Sequence, residues 1–174
     1  SKVHDCSFVA AILPSTAWAN TSIRNTSFHQ ADMTSNCIVS SAEIDDSQET
    51  GYFENLDFSE ATLDKANLQG LDLQGNNFTQ AKIASTNFAN ADLTNCQFDD
   101  CQGSQALFRK SVLTGASMVR ANLMEAVLSK AVLTQVNLEK ANLYGVDFLR
   151  ATVRDTRFNN ANLDATILRD WRPS

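Results

Sequence analysis

The sequence has few of the residues that build loops or metal sites: its 174 residues include six glycines, two prolines and two histidines. So little glycine and proline argues against a loop-rich fold. The histidines, His4 and His29, lie near no pair of cysteines, and the four cysteines form no CxxC motif, so no metal site is expected. No apolar run approaches the roughly 18 residues of a membrane-spanning helix.

The chain also lacks an excess of positive charge, since 14 basic residues stand against 20 acidic ones. The net charge of −6 disfavours direct nucleic-acid binding. No basic stretch followed by an apolar run is visible near the start, although a mature chain that has lost a signal peptide would look the same. We therefore expect a soluble, monomeric protein without membrane insertion.

A period of five residues runs through most of the chain. In blocks such as ATLDK, ANLQG and TNFAN, the third position is a large apolar residue. Between Phe53 and Leu168 there are 24 such positions, and Gly103 is the only one without a large apolar side chain. The eight earlier third positions, from Val3 to Ile38, follow the same rule, and all ten phenylalanines occupy third positions.

The other positions of the block are also selective. The first is usually small, most often Ala, the second is often Asn or Asp, and four of the six glycines occupy the fifth. A period of five fits neither a helix nor an alternating strand, but it fits a short extended step followed by a tight turn. First and third positions then point inward and the rest face solvent. This pattern predicts an all-β coil whose turns stack at about 4.8 Å.

The blocks ANLQG, ADLTN, ANLME, ANLYG and ANLDA resemble the A(D/N)LXX motif of the pentapeptide-repeat family. The resemblance covers residues 53–170 strongly and 3–38 well. It implies a right-handed quadrilateral β-helix with four pentapeptides per coil, hence about eight coils by the 20-residue coil length. The family is abundant in cyanobacteria, so a cyanobacterial source would fit. Its members occur in the cytoplasm or, after export, in the periplasm or thylakoid lumen.

One segment breaks the repeat, because the third positions Glu43 and Gln48 are polar. The segment Ser40–Tyr52 also carries Asp45, Asp46 and Glu49 and no basic residue. We predict a single domain over 1–174 with N-terminal coils over 1–39, an acidic surface insertion over 40–52, a main run over 53–170 and a C-terminal cap over 171–174. The insertion is either a solvated loop or a functional loop on a rigid scaffold. Its acidic spacing does not match a calcium-binding EF-hand loop.

Three of the four cysteines, Cys6, Cys96 and Cys101, occupy first positions of the block. Cys96 and Cys101 are predicted to be buried thiols on adjacent walls, too far apart for a disulfide. Cys37 lies beside the predicted insertion, where the chain path is less constrained, so a Cys6–Cys37 disulfide is a candidate.

Charge is divided between the two halves of the chain. Residues 1–100 hold 4 basic and 14 acidic side chains, whereas residues 101–174 hold 10 and 6. Lys110, Lys130 and Arg150 are 20 residues apart and should stack as a basic column, with Arg109 on the same wall. This column is either a solvated face or a contact for an anionic partner.

No GxGxxG, GxxxxGK[ST], GxSxG or HExxH motif occurs, and a core filled by Phe and Leu leaves no room for a cofactor. We therefore predict a non-enzymatic structural or interaction module with an unknown protein partner and no cofactor. The candidate surfaces are the acidic and basic sets Glu43, Asp45, Asp46, Glu49, Arg109, Lys110, Lys130 and Arg150. The family resemblance implies an alternative, a DNA mimic that protects or inhibits a type II topoisomerase such as DNA gyrase. The basic C-terminal half and the short tail depart from that pattern.

Overall fold

Backbone pairing repeats every 20 residues. The computed structural model describes residues 2–13, 22–34 and 53–168, and within these ranges the chain contains no helix. Asn87 pairs in parallel with Leu107, Leu107 with Val127, and Val127 with Asp147. Each coil therefore lies directly on the previous one, as the sequence period predicts.

The recognised strands all lie on one wall of this stack. They are β1 (Lys2–His4), β2 (Ser22–Arg24), β3 (Phe53–Glu54), β4 (Val132–Thr134) and β5 (Thr152–Arg154). A three-stranded parallel sheet has the order β1-β2-β3, and β4 pairs in parallel with β5. Isolated parallel bridges continue the same wall between the two sheets, such as Asp92 with Val112.

A corner follows every extended step, because the fifth position of each described block has a positive φ. The angle is 60° at Asn90 and 71° at Gly115. The N–H of the next block's first residue closes the turn, as when Ala91 N donates to Phe88 O at 3.1 Å. A positive φ at the third residue of such a turn is typical of type II turns. Four blocks per 20-residue period give four corners and four walls.

Second-position Asp and Asn side chains support these corners. The Oδ1 of Asp92 accepts a hydrogen bond from Thr94 N, and that of Asn87 accepts one from Ala89 N, both at 3.0 Å. Such contacts across two residues are Asx turns, which fix the chain locally. Asp and Asn are therefore interchangeable at this position for a structural reason, and much of the acidity serves the turns.

The prediction that third positions point inward is confirmed. Phenylalanines stack between coils with ring centroids 4.7–5.2 Å apart: Phe8, Phe28, Phe58, Phe78 and Phe98 form one column, and Phe88 and Phe108 another. At Gly103 the neighbouring coils fill the missing volume, because a Cβ there would lie 2.9 Å from Leu123 Cδ2 and 3.1 Å from Ile83 Cδ1. The glycine therefore sits in a packed core.

The pairing register shifts once in the described residues. Ile23 pairs with Phe53, a separation of 30, whereas the separation is 20 on either side. Ten additional residues therefore lie between Thr34 and Phe53. The predicted insertion at 40–52, and the predicted cap at 171–174, fall outside the described residues.

Candidate functional site

Lys110, Lys130 and Arg150 occupy equivalent corners of successive coils. Lys110 N donates to Ser129 O at 3.0 Å and Lys130 N donates to Leu149 O at 2.9 Å, which stacks the three corners directly. All three side chains are exposed. Their φ angles are 61°, 61° and 58°, so each cation stands at a left-handed position that favours glycine or asparagine.

Exposed apolar side chains lie beside this column. We call the wall formed by residues 66–70, 86–90, 106–110, 126–130 and 146–150 the Lys130 wall. Leu107 and Leu149 project from it, with Leu149 58% exposed, and Ile167 follows on the next coil at 72%. Met124 and Tyr144 line the corner where the preceding wall joins it. Five of the seven large apolar residues that are exposed in the described ranges thus lie together.

We define the basic–apolar face as the set of two leucines and four cations on the Lys130 wall: Leu107, Arg109, Lys110, Lys130, Leu149 and Arg150. The earlier coils of the same wall present neutral polar side chains instead, including Asn67, Gln69, Asn87 and Asn90. The chemistry of one continuous wall therefore changes along the stack.

The cations of the face have no counter-ion within the part of the chain that the structure describes. The other three corners contrast with this one, because side chains of neighbouring coils there join one another: Arg120 to Asp100, Gln105 to Glu125, and Asn25 to Asp5. Stacked like charges repel and do not stabilise a parallel wall. The column is therefore a candidate binding site for an anionic group.

Two acidic side chains, Asp32 and Asp100, have a pKa below the ordinary value of a carboxyl group. Hydrogen bonding to Arg120 lowers the pKa of Asp100, and the carboxylate raises the pKa of the guanidinium in turn. The hydroxyl and N–H of Thr34 lower the pKa of Asp32. Both shifts stabilise carboxylates in their charged form, which is the opposite of what a general acid requires.

The remaining predicted site residues are only partly described. Glu43, Asp45, Asp46 and Glu49 lie outside the described ranges, and so does Cys37, while its candidate partner Cys6 is exposed.

The two other cysteines are buried free thiols, as the sequence predicts. Cys96 Sγ donates a hydrogen bond to Leu73 O at 2.9 Å. Burial raises the pKa of the Cys96 thiol to about 12 and raises that of Cys101 as well. Both groups are therefore protonated at neutral pH, which argues against a nucleophilic role.

The described residues hold no group of three or more His, Cys, Asp and Glu side chains placed to bind a metal. None of them belongs to a helix long and apolar enough to cross a membrane.

The sequence predicted the cations of the face but missed its apolar members. The available signal was the apolar residue at an outward second or fourth position, as at Leu107 and Leu149, where most blocks have polar side chains.

Comparison with known proteins gives consistent matches. The model described as "Pentapeptide repeat region" matches residues 91–168, and that described as "Pentapeptide repeats (8 copies)" matches 52–80 and 77–102. A pentapeptide repeat protein from the thylakoid lumen of Arabidopsis thaliana is 30% identical, with a TM-score of 0.56 and coverage of 59% of this chain and 71% of that one.

A second similar structure is QnrB1, a plasmid-mediated fluoroquinolone resistance protein. It is 15% identical, with a TM-score of 0.57 and coverage of 94% of this chain and 82% of that one, so the likeness concerns the fold. No curated protein matches the chain.

Proposed function

The chain belongs to the pentapeptide-repeat family, and we propose that it is a non-enzymatic module that binds a protein partner through the basic–apolar face. Pentapeptide-repeat proteins are generally non-enzymatic. A rigid stacked scaffold suits this role, because it holds side chains of successive coils at fixed spacing on an extended surface.

One observation carries the proposal: exposed apolar side chains and cations that have no counter-ion among the described residues coincide on one wall. Exposed apolar patches rimmed by polar groups mark interaction sites in soluble proteins. Leu149, at 58% exposure, lies next to Arg150 at the corner of its coil. Neither the turn chemistry nor the core requires a leucine at that outward position.

A matched pair of variants tests the proposal. The face variant replaces Lys110, Lys130 and Arg150 by Asn. The control variant replaces Lys82, Lys140 and Arg157 by Asn on other walls, where these side chains are also exposed. Both variants change the net charge by the same amount, and Asn suits second and fifth positions, so both should fold.

The variants are immobilised and exposed to an extract of the source cells, and any captured protein is purified and titrated against each. We expect the wild type and the control variant to bind alike and the face variant to bind at least about tenfold more weakly, as for loss of close charge pairs. Equal affinity of the two triple variants for every captured protein would contradict the proposal.

The DNA-mimic alternative stays a prediction. The fold resembles that of QnrB1, but identity of 15% carries the fold alone. Acidic side chains such as Asp57 and Asp92 are engaged in turn hydrogen bonds, which explains their presence without a DNA-like role. A gyrase supercoiling assay with and without a fluoroquinolone tests the alternative, and no effect at micromolar protein would exclude it.

A further inference from the structure

We propose that the basic–apolar face binds an acidic amphipathic α-helix that lies along the axis of the coil stack. This inference rests on the proposed interaction role and adds the chemistry of the partner. It follows from the spacing of the cations, the hydrogen bonds that already occupy the backbone beneath them and the position of the apolar side chains.

The backbone of the Lys130 wall cannot pair with an added strand. Leu107 N donates to Thr86 O at 2.9 Å, and Leu107 O accepts from Phe88 N at 2.8 Å. The corner N–H groups of Lys110 and Lys130 are bonded as well. Because these main-chain groups are used between coils, a partner must bind through side chains, as an amphipathic helix does.

The axial spacing also favours a helix. The nearly parallel rings of Phe88 and Phe108, one coil apart beneath this wall, have centroids separated by 5.0 Å. The column from Lys110 to Arg150 crosses two such intervals, about 10 Å. Residues i and i+7 of an α-helix are about 10.5 Å apart, whereas residues i and i+4 of a strand are about 13 Å apart.

The apolar side chains occupy one side of the column. Leu107 projects from the middle of the wall, and Met124 and Tyr144 line the corner opposite the cations. A helix with a stripe of acids beside a stripe of leucines would contact the cations and the apolar side chains at the same time. The two acids on this surface have partners of their own, because Asp147 accepts from Leu149 N at 2.8 Å and Glu125 accepts from Gln105 at 3.0 Å.

A designed peptide tests the inference directly. The probe is a fluorescein-labelled peptide of about three heptads, with Glu at the first and fifth positions, Leu at the second and sixth, and Ala or Gln elsewhere, which places the two stripes side by side on a helix. A scrambled peptide of the same composition is the first control. Fluorescence anisotropy measures binding to the wild type, the face variant and the control variant.

We expect the wild type and the control variant to bind the patterned peptide about tenfold more tightly than the scrambled one, and the face variant to lose this preference. Raising NaCl from about 50 to about 300 mM should weaken the patterned complex, because exposed charges are screened. Replacing Leu149 by Ser should also weaken it, since apolar contact contributes independently of salt.

Three results would overturn the inference: equal binding of the patterned and scrambled peptides, no loss in the face variant, or binding of the wild type to vesicles of phosphatidylcholine and phosphatidylglycerol at about 3:1 without binding to the peptide. A cellular partner that needs the face while the peptide fails would reject the helix and keep the interaction role. If no cellular partner depends on the face and the peptide does not bind either, the proposed interaction role itself is rejected.

Discussion

The side chain of Asn76 bonds both ends of the turn that begins at Phe53. Asn76 Nδ2 donates to Phe53 O and Leu56 N donates to Asn76 Oδ1, each at 2.8 Å, and the amide is fully buried. A buried amide of this kind needs hydrogen-bond partners for both its oxygen and its nitrogen. The contact fixes the turn from Phe53 to Leu56.

Replacing Asn76 by Ala should therefore destabilise the protein by about 2–3 kcal/mol, because it leaves a buried carbonyl and N–H without their partner. Thr86 makes a single comparable bond, from Oγ1 to Leu63 O at 2.6 Å, and that carbonyl also accepts from a backbone N–H. Thr86→Ala should cost only about 1 kcal/mol. Urea unfolding measures both changes, and equal losses would contradict the special role of Asn76.

A charge at a third position should abolish the fold. Phe88 is fully buried and stacks on Phe108. Phe88→Ala should lose about 3–5 kcal/mol through the cavity, and Phe88→Asp should unfold or aggregate because it buries an unpaired charge. Asn90→Asp, at the exposed corner of the same block, is the control. Circular dichroism melting checks all three, and a Phe88→Asp variant that melts like the parent would refute the inward position.

The buried thiols predict a loss of stability in alkali. Folding raises the pKa of Cys96 to about 12 and also raises that of Cys101, whereas unfolded thiols ionise near pH 9. Above that pH the folded state therefore binds more protons than the unfolded state. The free energy of unfolding should fall as the pH rises, by about 1.4 kcal/mol per pH unit for each thiol. From about pH 8 to 10 the wild type should lose roughly 2–3 kcal/mol more than Cys96→Ala/Cys101→Ala. Equal losses in urea titrations would show that ionisation of these thiols is not linked to unfolding.

Removing a cation from the stacked column should stabilise the protein. Lys130 has a φ of 61° and cationic neighbours on the coils before and after it. Lys130→Asn should raise stability by up to about 1 kcal/mol, because Asn tolerates the left-handed region and the repulsion falls. Lys130→Gln removes the charge but keeps an ordinary side chain at a positive φ. Its gain in stability should therefore equal only the gain that high salt gives the wild type by screening the repulsion. A Lys130→Asn protein that is less stable than the wild type would show that the lysine supports the fold.

Much of the fold could be predicted because inward positions recur every five residues. The buried third-position side chains Phe88 and Leu93 follow directly from the pattern. The packing at Gly103 could not be predicted, because it depends on how Ile83 and Leu123 orient in three dimensions.

The candidate site was predictable to a lesser degree. A 20-residue coil brings Lys110 and Lys130 together, so the column follows from the period. That these cations have no counter-ion in the described ranges depends on side-chain conformations at the neighbouring corners, where Arg120 reaches Asp100, and no spacing rule specifies that.

The segment Ser40–Tyr52 should be the first site of proteolysis, because its polar third positions Glu43 and Gln48 cannot fill a core position and ten additional residues lie between Thr34 and Phe53. Trypsin cannot test this, since the region between Arg24 and Lys65 contains no Lys or Arg. Endoproteinase Glu-C should cut within the segment first, with mass spectrometry identifying the fragments. First cuts within residues 60–100 would show that the insertion lies elsewhere.

Deleting residues 40–49 provides the matched control for that prediction. It joins Val39 to Thr50 and leaves Ile38 and Phe53 as consecutive third positions, so the coil returns to the 20-residue period. The deletion variant should lose the early Glu-C site and keep its stability within about 1 kcal/mol, because lengthening or shortening a surface loop changes the closure entropy only slightly. A variant that unfolds would mean that the acidic segment contributes to the core, and the insertion hypothesis would then be wrong.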